Sequence, residues 1–329
     1  MTAQPGLQTP DSQVIDIRHL TSRQLDQLLL DETAEWDCQL DWDFSTFAQL
    51  VRQFVDARIL TGAVLLHRGE IAGYGHTCTE ENKGLITDLY VRPPFRNGNA
   101  ETALFHVLLD GLMATSNVQR VESQLMLLGT DTVKALQRSG SVRLFERLLM
   151  KLNADHSLPP GRASIAQRFR IDPWTGSYRK AAARVISIAH IGHVDTQIND
   201  QYRTLDGARQ LVDNIVQFPG FYQPASYAAF DIDTSSAAGI LLASFVAADV
   251  AQITEICVAP NAKGAGLGYE LLRKSVSALR GAGAKRISLT VTAANQEAVR
   301  LYTRCGFRTA HSFHAYVWEN RHSLTTNYS

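Results

Sequence analysis

The sequence has no excess of charge of either sign, because 32 lysines and arginines balance 32 aspartates and glutamates. Non-specific binding to nucleic acid depends on a basic field, so nucleic acid is not an expected partner. No stretch approaches the run of about 18 apolar residues that a membrane-spanning helix needs, so no membrane partner is expected. The first residues also lack the basic-then-apolar pattern of a secretory signal, which favours a cytoplasmic protein.

Cysteine is scarce, and the thiols are too far apart in the sequence to form a CxxC motif: Cys38, Cys78, Cys257 and Cys305. This spacing indicates reduced thiols rather than a disulfide framework or a zinc site. His190 and His193 have no obvious partner in the sequence, so they are predicted to be loop or acceptor-groove residues. No metal is therefore expected.

The most informative stretch is ITEICVAPNAKGAGLGYELL, residues 253–272. A β-favouring run ends at Pro260, and a glycine-rich turn then leads into apolar residues at helical spacing. Glycines let the backbone approach a ligand, and the first N–H groups of a helix lack intrahelical partners. Together with the helix dipole, these features predict an anion site, with a pyrophosphate as the obvious ligand.

Two common phosphate-binding fingerprints are excluded at this turn. The P-loop needs GxxxxGK[ST], but Gly268 is followed by Tyr269 and Glu270. The dinucleotide pattern GxGxxG also fails after Gly264-Ala265-Gly266. The stretch instead resembles the coenzyme-A loop of the GNAT acetyltransferases, [QR]-x-x-G-x-[GA] after a strand ending in V-x-P. Lys263 stands where that family usually has Arg or Gln, and the G-x-G step falls at 266 and 268.

A second signature follows about thirty residues later. GNAT members carry N-x-x-A-x-x-[LF]-Y-x-x-x-G-F after a strand, and this sequence has every position: Asn295, Ala298, Leu301, Tyr302, Gly306 and Phe307. Two signatures in the right order are more specific than either alone. The resemblance implies acetyl-CoA as cosubstrate and an N-acetyltransferase activity.

The resemblance also implies roles for individual residues. The coenzyme would contact Cys257, Val258, Lys263, Gly264, Ala265, Gly266, Leu267, Gly268, Asn295 and Ala298. The Val258 N–H is the expected donor to the thioester oxygen. Asn295 is expected to contact the pantetheine or the helix backbone, with a role as a helix N-cap as the alternative. Tyr302 is the expected general acid, with packing against Phe307 as its alternative. Glu255 is the expected base, directly or through water, or else one member of an ion pair.

A chain of 329 residues is long enough for two domains, and the order of predicted elements occurs twice. Val258-Ala259-Pro260 aligns with Val91-Arg92-Pro93 at an offset of 258 − 91 = 167. The second copy is predicted to start with a strand at Arg184–Ile188. The predicted division is a disordered tail at 1–12, a domain at 13–156, a linker at 157–180 and a catalytic domain at 181–329.

The first copy lacks the turn's chemistry, because the offset puts Asn99 and Glu101 at the positions of Gly266 and Gly268. A carboxylate there would repel a diphosphate, so the first copy is interpreted as a degenerate GNAT-like domain. The predicted fold is mixed α/β, with two tandem GNAT folds. Each has a mixed, mostly antiparallel central sheet flanked by helices.

The predicted protein is a monomer or homodimer that transfers acetyl from acetyl-CoA to a small polar primary amine. Three alternatives remain open from the sequence: a protein or peptide amine as acceptor, a longer acyl donor, and a non-catalytic module that binds acyl-CoA.

Overall fold

The computed structural model describes residues 11–96 and 98–319. These residues form two compact units: the first contains 11–146 and 313–319, and the second contains 147–312. The predicted disordered tail lies outside the described residues up to residue 10, and Ser12 already belongs to a strand. None of the helices in the described ranges has the length and apolar character needed to cross a bilayer.

The first ten helices and strands belong to the first unit, except that the last of them, a strand, continues into the second unit. In chain order they are β1 (Ser12–Asp16), α1 (Asp26–Leu40), α2 (Ser45–Asp56), β2 (Thr61–His67), β3 (Glu70–Glu80), β4 (Lys83–Val91), α3 (Gly98–Met113), β5 (Arg120–Leu125), α4 (Thr130–Ser139) and β6 (Arg143–Asn153).

The remaining elements build the second unit, and the last strand returns to the first. They are α5 (Ser164–Arg168), β7 (Phe169–Pro173), α6 (Arg179–Ala189), α7 (Asp195–Ile198), α8 (Leu205–Gln217), β8 (Tyr227–Asp231), β9 (Ala237–Ala247), β10 (Val250–Val258), α9 (Leu267–Gly281), β11 (Arg286–Thr292), α10 (Gln296–Arg304) and β12 (Arg308–Glu319).

Each unit has a mixed sheet in which a single neighbouring pair is parallel. In the first unit the order is β1-β2-β3-β4-β5-β12, with β4 and β5 parallel. In the second unit the order is β6-β11-β10-β9-β8-β7, with β10 and β11 parallel. The remaining pairs within these two sheets are antiparallel. The predicted fold class, a mostly antiparallel mixed sheet flanked by helices, is confirmed.

The second unit buries both faces of its sheet. Along β9, Leu241 and Ala243 pack into the core under α9, whereas Ile240 and Leu242 pack into the core under α6 and α8. This alternation follows from the two-residue period of a strand. The apolar side chains of α9 face inward at helical spacing, so the helix is fixed close to the end of β10.

The predicted strand at Arg184–Ile188 is wrong, because these residues lie in α6. Val185, Ile186 and Ile188 make the stretch look β-favouring in a short window. The buried positions of α6 are Ala182, Ala183, Val185 and Ile186, whose spacing is that of one helix face. The alanines upstream also favour a helix, and the packing of that face decides the outcome.

The predicted linker at 157–180 is only partly irregular. From Ser164 onward it forms α5 and β7, and α6 begins at Arg179 after a short connection at 174–178. β7 pairs with β8 along its whole length. The first strand of the second copy is therefore β7, upstream of the position predicted for it.

Two strands cross the predicted domain boundaries. Residues 147–153 of β6 pair with β11 in the second unit, although the prediction gives them to the first domain. Residues 314–319 of β12 pair with β5 in the first unit. A sequence pattern identifies a strand but does not say which sheet the strand joins.

The repeat offset of 167 is confirmed where the diagnostic stretch lies. It carries β3 and β4 onto β9 and β10 residue for residue, since 70 + 167 = 237 and 83 + 167 = 250. Both strand pairs also have a register shift at the same place, around Thr87 in the first unit and around Thr254 in the second.

Candidate active site

The second unit contains a gap between its two parallel strands. The pairing of β10 with β11 runs from Val250 and Arg286 to Ile253 and Leu289, and then ends although both strands continue. A register shift against β9 falls at Thr254, the next residue of β10. A bulge of this kind bends a strand, which accounts for the separation of the two strands beyond it.

Backbone groups on β10 face this gap. The Ala259 N–H donates to the Ala238 carbonyl on the β9 side at 2.8 Å. Successive peptide groups of a strand point to opposite edges, so the N–H groups of Val258 and Ile256 point toward the gap. An extended ligand in the gap can therefore bond to the strand edge, where the Val258 N–H is available, and its role as the oxyanion donor stays a prediction.

The glycine turn joins β10 to α9 as predicted. Gly264 and Gly266 have φ values of +76° and +94°, which favour glycine strongly. The first backbone bond of α9 links the Glu270 N–H to the Gly266 carbonyl at 3.1 Å, so the N–H groups before Glu270 are left for another acceptor. Gly268 lies inside the helix, and a Cβ there would be 3.5 Å from Val258 Cγ2.

Most of the predicted site residues line one cavity of about 1000 Å³. Its lining includes Glu255, Cys257, Val258, Lys263, Gly264, Gly266, Leu267, Gly268, Asn295, Ala298 and Tyr302. Ala265 does not line it, because its side chain packs on the core instead. The roles predicted for these residues stay predictions, but their grouping around one space is a property of the fold.

Glu255 is buried and has a tyrosine partner that the sequence did not indicate. The Tyr202 hydroxyl donates to Glu255 Oε2 at 2.8 Å, and the His190 ring stacks on Tyr202 with centroids 4.0 Å apart. Burial raises the pKa of Glu255, while His190 and the Tyr202 hydrogen bond act in the opposite direction. A carboxylate with a raised pKa is a stronger base near neutral pH than an exposed one.

Tyr302 is also buried, and its hydroxyl makes no hydrogen bond to any residue in the described ranges. Burial raises its pKa, and the nearby Glu255 carboxylate is the next largest cause. The phenol therefore stays protonated at neutral pH, as a proton donor must. The centroid of its ring lies 6.1 Å from that of Phe307, so Tyr302 packs against Phe307. It also lines the cavity, so the packing role does not exclude contact with a ligand.

Two other predictions find a structural basis. The Asn295 side chain accepts the Ala298 N–H at 3.2 Å, so Asn295 is an N-cap of α10, and it also lines the cavity. Cys257 is buried, and this burial raises its pKa well above the usual value. The thiol therefore remains protonated and poorly nucleophilic.

Several cavity residues come from the segment between α6 and α8, where the sequence offered no motif. His190, His193, Asp195 and Tyr202 all line the cavity. Asp195 accepts a hydrogen bond from Thr292 and lies 3.5 Å from Arg147 Nη1. Tyr202 meets Glu255 only in three dimensions, so no local spacing could have identified it, whereas His190 and His193 were predicted as loop or acceptor-groove residues.

His190, His193 and Asp195 bring potential metal-ligand atoms within 4.8 Å of one another. The sequence prediction assigned the histidines no partner, although Asp195 follows His193 by only two residues. His190 Nδ1 bonds to the Ile186 carbonyl at 2.8 Å, and Asp195 Oδ1 lies 3.5 Å from Arg147 Nη1, so the carboxylate already has a cationic partner. Burial also lowers the pKa of His193.

Comparison with known proteins agrees with this geometry. Residues 198–307 match the model of the acetyltransferase (GNAT) family. None of the curated protein sequences matches the chain significantly.

Solved structures resemble nearly the whole chain. A GCN5-related N-acetyltransferase from Sphaerobacter thermophilus is 17% identical with a TM-score of 0.65, over 94% of this chain and 95% of that one. A tandem GNAT protein from the clavulanic acid biosynthesis pathway is 13% identical with a TM-score of 0.62, over 94% and 99%. A GCN5-related glucosamine N-acetyltransferase region in a fungal multi-domain GH3 β-N-acetylglucosaminidase is 15% identical with a TM-score of 0.65, over 94% and 38%.

The family match covers the strand gap, the glycine turn and both signatures, all of which lie in the second unit. The chain therefore carries a GNAT acetyltransferase domain in its second unit and has the fold of the GNAT acetyltransferases, tandem members among them.

Proposed function

We propose that the second unit binds acetyl-CoA and transfers its acetyl group to the primary amine of a small polar metabolite. The two substrates would be bound together, and the amine would attack the thioester directly. One observation carries the proposal: the gap beside β10, the glycine turn, Glu255 and Tyr302 all border a single cavity.

The donor would lie along the gap. The free backbone groups of β10 would pair with its pantetheine arm, and the N–H groups before Glu270 would bind its diphosphate. Lys263 adds a positive charge beside the turn. With the arm so placed, the Val258 N–H would donate to the thioester oxygen and stabilise the negative charge that develops there.

Proton transfer would use the two buried side chains. An amine arrives as its ammonium form, and Glu255 removes a proton directly or through a water. The new C–N bond forms as the C–S bond breaks, Tyr302 gives its proton to the departing thiolate, and the nitrogen loses its second proton to solvent to give the neutral amide. Solvent then returns a proton to Tyr302 and removes the one held by Glu255, which restores both side chains.

The acceptor end of the cavity supports a polar substrate. Arg147, Asp195, His193 and Tyr202 present charged and hydrogen-bonding groups there, and Glu255 offers a negative charge to an ammonium. The similar fungal region is described as a glucosamine N-acetyltransferase, so amino sugars are a reasonable first class of amine to test.

The test has two stages. Thermal unfolding with acetyl-CoA and longer acyl-CoAs measures donor binding, because a ligand specific for the folded state raises Tm. A panel of amino sugars, amino acids, polyamines and a peptide is then screened for thiol release. Stabilisation by acetyl-CoA together with amine-dependent thiol release is the expected result. Stabilisation without release for any amine would favour the non-catalytic alternative.

A further inference from the structure

The segment at residues 159–162 lies against the start of α9. The Tyr269 hydroxyl donates to the Pro159 carbonyl at 2.6 Å. Gly161 is so close to Glu270 that a Cβ at this position would collide with the carboxylate. Arg273 holds that carboxylate with two bonds of 2.8 and 2.6 Å, so it is not free to move aside. The segment is thus anchored beside the glycine turn.

Arg162 is the residue that this anchored segment presents to the cavity. Its side chain is exposed, lines the cavity together with Gly264 and Gly266, and forms no hydrogen bond or ion pair with the described residues. The next turn of the segment also touches the glycine turn, because Ile165 Cδ1 would lie 3.4 Å from a Cβ on Gly266. The backbone on both sides of Arg162 is therefore held in place, while its guanidinium is available to bind a ligand.

The cationic groups of the cavity are divided between its two ends. Arg147 is bonded to Thr290, Thr292 and Asp195 near the proposed acceptor site. Arg162 and Lys263 lie near the glycine turn, where the proposed function places the diphosphate. Arg304 also lines the cavity, and Glu297 is an exposed carboxylate in the same lining.

We infer that Arg162 binds a phosphate group at the nucleotide end of the acyl carrier and so helps the protein select coenzyme A over shorter pantetheine thioesters. This inference rests on the proposed function. Arginine suits the task because its planar fork bonds to two phosphate oxygens at once and always carries its charge. Both the diphosphate and the 3′-phosphate offer this chemistry, and the experiment separates them.

Calorimetric titration of the full chain with coenzyme A, 3′-dephospho-coenzyme A and pantetheine tests the assignment. Arg162→Ala should weaken coenzyme A binding about tenfold or more, the effect of losing charge-assisted hydrogen bonds. If the 3′-phosphate is bound, the variant no longer distinguishes coenzyme A from its dephospho form. If the diphosphate is bound, both nucleotides lose affinity equally. Pantetheine affinity stays constant in either case.

Arg170→Ala is the matched control, because Arg170 is exposed on β7, pairs with Asp172 at 3.0 Å and does not line the cavity. A second variant, Gly161→Ala, should also weaken coenzyme A binding, since the added Cβ displaces the segment while the guanidinium is kept. Arg162→Ala affinity within about twofold of the wild type, or equal to that of Arg170→Ala, overturns the inference. If instead the wild type gave no heat with coenzyme A, the proposed function itself would fail.

Discussion

The same strand gap occurs in both units, but only the second leaves it open. In the first unit the parallel pairing of β4 with β5 ends at Ile86 and Ser123, the counterpart of the end at Ile253 in the second. Arg96 then donates to the Val91 carbonyl at 2.8 and 3.2 Å, on the edge that faces away from β3. A side chain of the first unit thus occupies backbone positions that a ligand would need.

The place proposed for the diphosphate also differs between the two units. Glu101 accepts a bond from Thr132 at 2.5 Å and from the Gly129 N–H at 3.2 Å, and it lies 3.4 Å from Arg96. Arg96 is also held by Glu35 at 2.7 Å. In the second unit the counterparts of Arg96 and Glu101 are Lys263 and Gly268. The comparison teaches that both backbones form the gap, and that side chains of the first unit fill positions that are left open in the second.

The largest expected effect comes from moving the carboxylate of the first unit into the second. Gly268→Glu places a negative charge where the diphosphate should bind, and like charges at short range repel strongly. Acetyl-CoA affinity should fall by at least about 100-fold, measured by calorimetric titration.

Gly281→Glu is the control for this change, because it adds the same side chain at the far end of the same helix, in open space. It should bind acetyl-CoA as the wild type does. Retained affinity in Gly268→Glu would mean that the glycine turn is not the diphosphate site and that the contrast between the units has another cause.

Removing the tyrosine hydroxyl should abolish most of the turnover without affecting binding. Tyr302→Phe keeps the ring beside Phe307 but removes the proton donor, so kcat should fall about 100-fold or more. The affinity for acetyl-CoA should stay within twofold, as measured by titration next to steady-state kinetics. A kcat close to that of the wild type would assign the acid to another group or to water.

A smaller effect is expected at Tyr202, whose hydroxyl bonds to Glu255. The bond favours the ionised carboxylate and lowers the pKa of Glu255, so Tyr202→Phe should raise that pKa. The acidic limb of the pH profile of kcat/KM should then move to higher pH by about one unit. Above the Glu255 pKa of both the wild type and the variant, kcat/KM should change little.

Tyr178→Phe serves as the control, because the Tyr178 hydroxyl donates to Asp172 at 3.0 Å and does not line the cavity. The other groups around Glu255 are His190, Asp195, Arg147, Cys257 and Tyr302, all unchanged in both variants. An acidic limb that stays in place in Tyr202→Phe would show that Glu255 is not the titrating base.

The smallest effect concerns stability, in the carboxylate cluster of the first unit. Burial raises the pKa of Glu32 well above its usual value, with Asp88 adding to the rise, and Tyr74 bonds to Glu32 at 2.8 Å. The folded state therefore keeps a proton that the unfolded chain releases. The unfolding free energy should decrease by up to about 1.4 kcal/mol per pH unit as pH rises from the unfolded to the folded pKa.

Glu32→Gln keeps a side chain that bonds to Tyr74 but cannot titrate, so the decrease should become smaller by the contribution of Glu32, while buried carboxyls with raised pKa such as Glu255 keep theirs. Urea unfolding at several pH values above 4.5, with hydrogen exchange in β3 and β4, measures the effect. The exposed Glu81→Gln should keep the wild-type slope. An unchanged slope in Glu32→Gln would assign the pH dependence to another group.

The sequence predicted the parts of the site that are local. The turn from Lys263 to Gly268 and the cap at Asn295 depend on residues that are neighbours in the sequence, so their spacing can be recognised from the sequence alone. The offset of 167 held because β4 and β10 share the same register and bulge. Glu255 could be placed on its strand, but its partner Tyr202 could not, since the two are 53 residues apart.

The errors have a common physical origin. Arg184–Ile188 has β-branched residues, but burial of one helical face outweighs local preference. The glycine and prolines at 159–161 look like a linker, although contacts with Tyr269 and Glu270 hold them in place. In each case a long-range contact overrides the composition.

The strands that cross between units also affect how the chain can be made. Residues 314–319 complete the sheet that starts at Ser12. During synthesis this sheet can therefore be completed only after most of the chain has been translated. The pairs between β5 and β12 join residues that are 189 to 199 positions apart in the sequence, since 314 − 125 = 189 and 319 − 120 = 199, and such long loops slow folding. Expressing either half alone, cut near residue 156, would leave a sheet with an unpaired edge and expose it to aggregation.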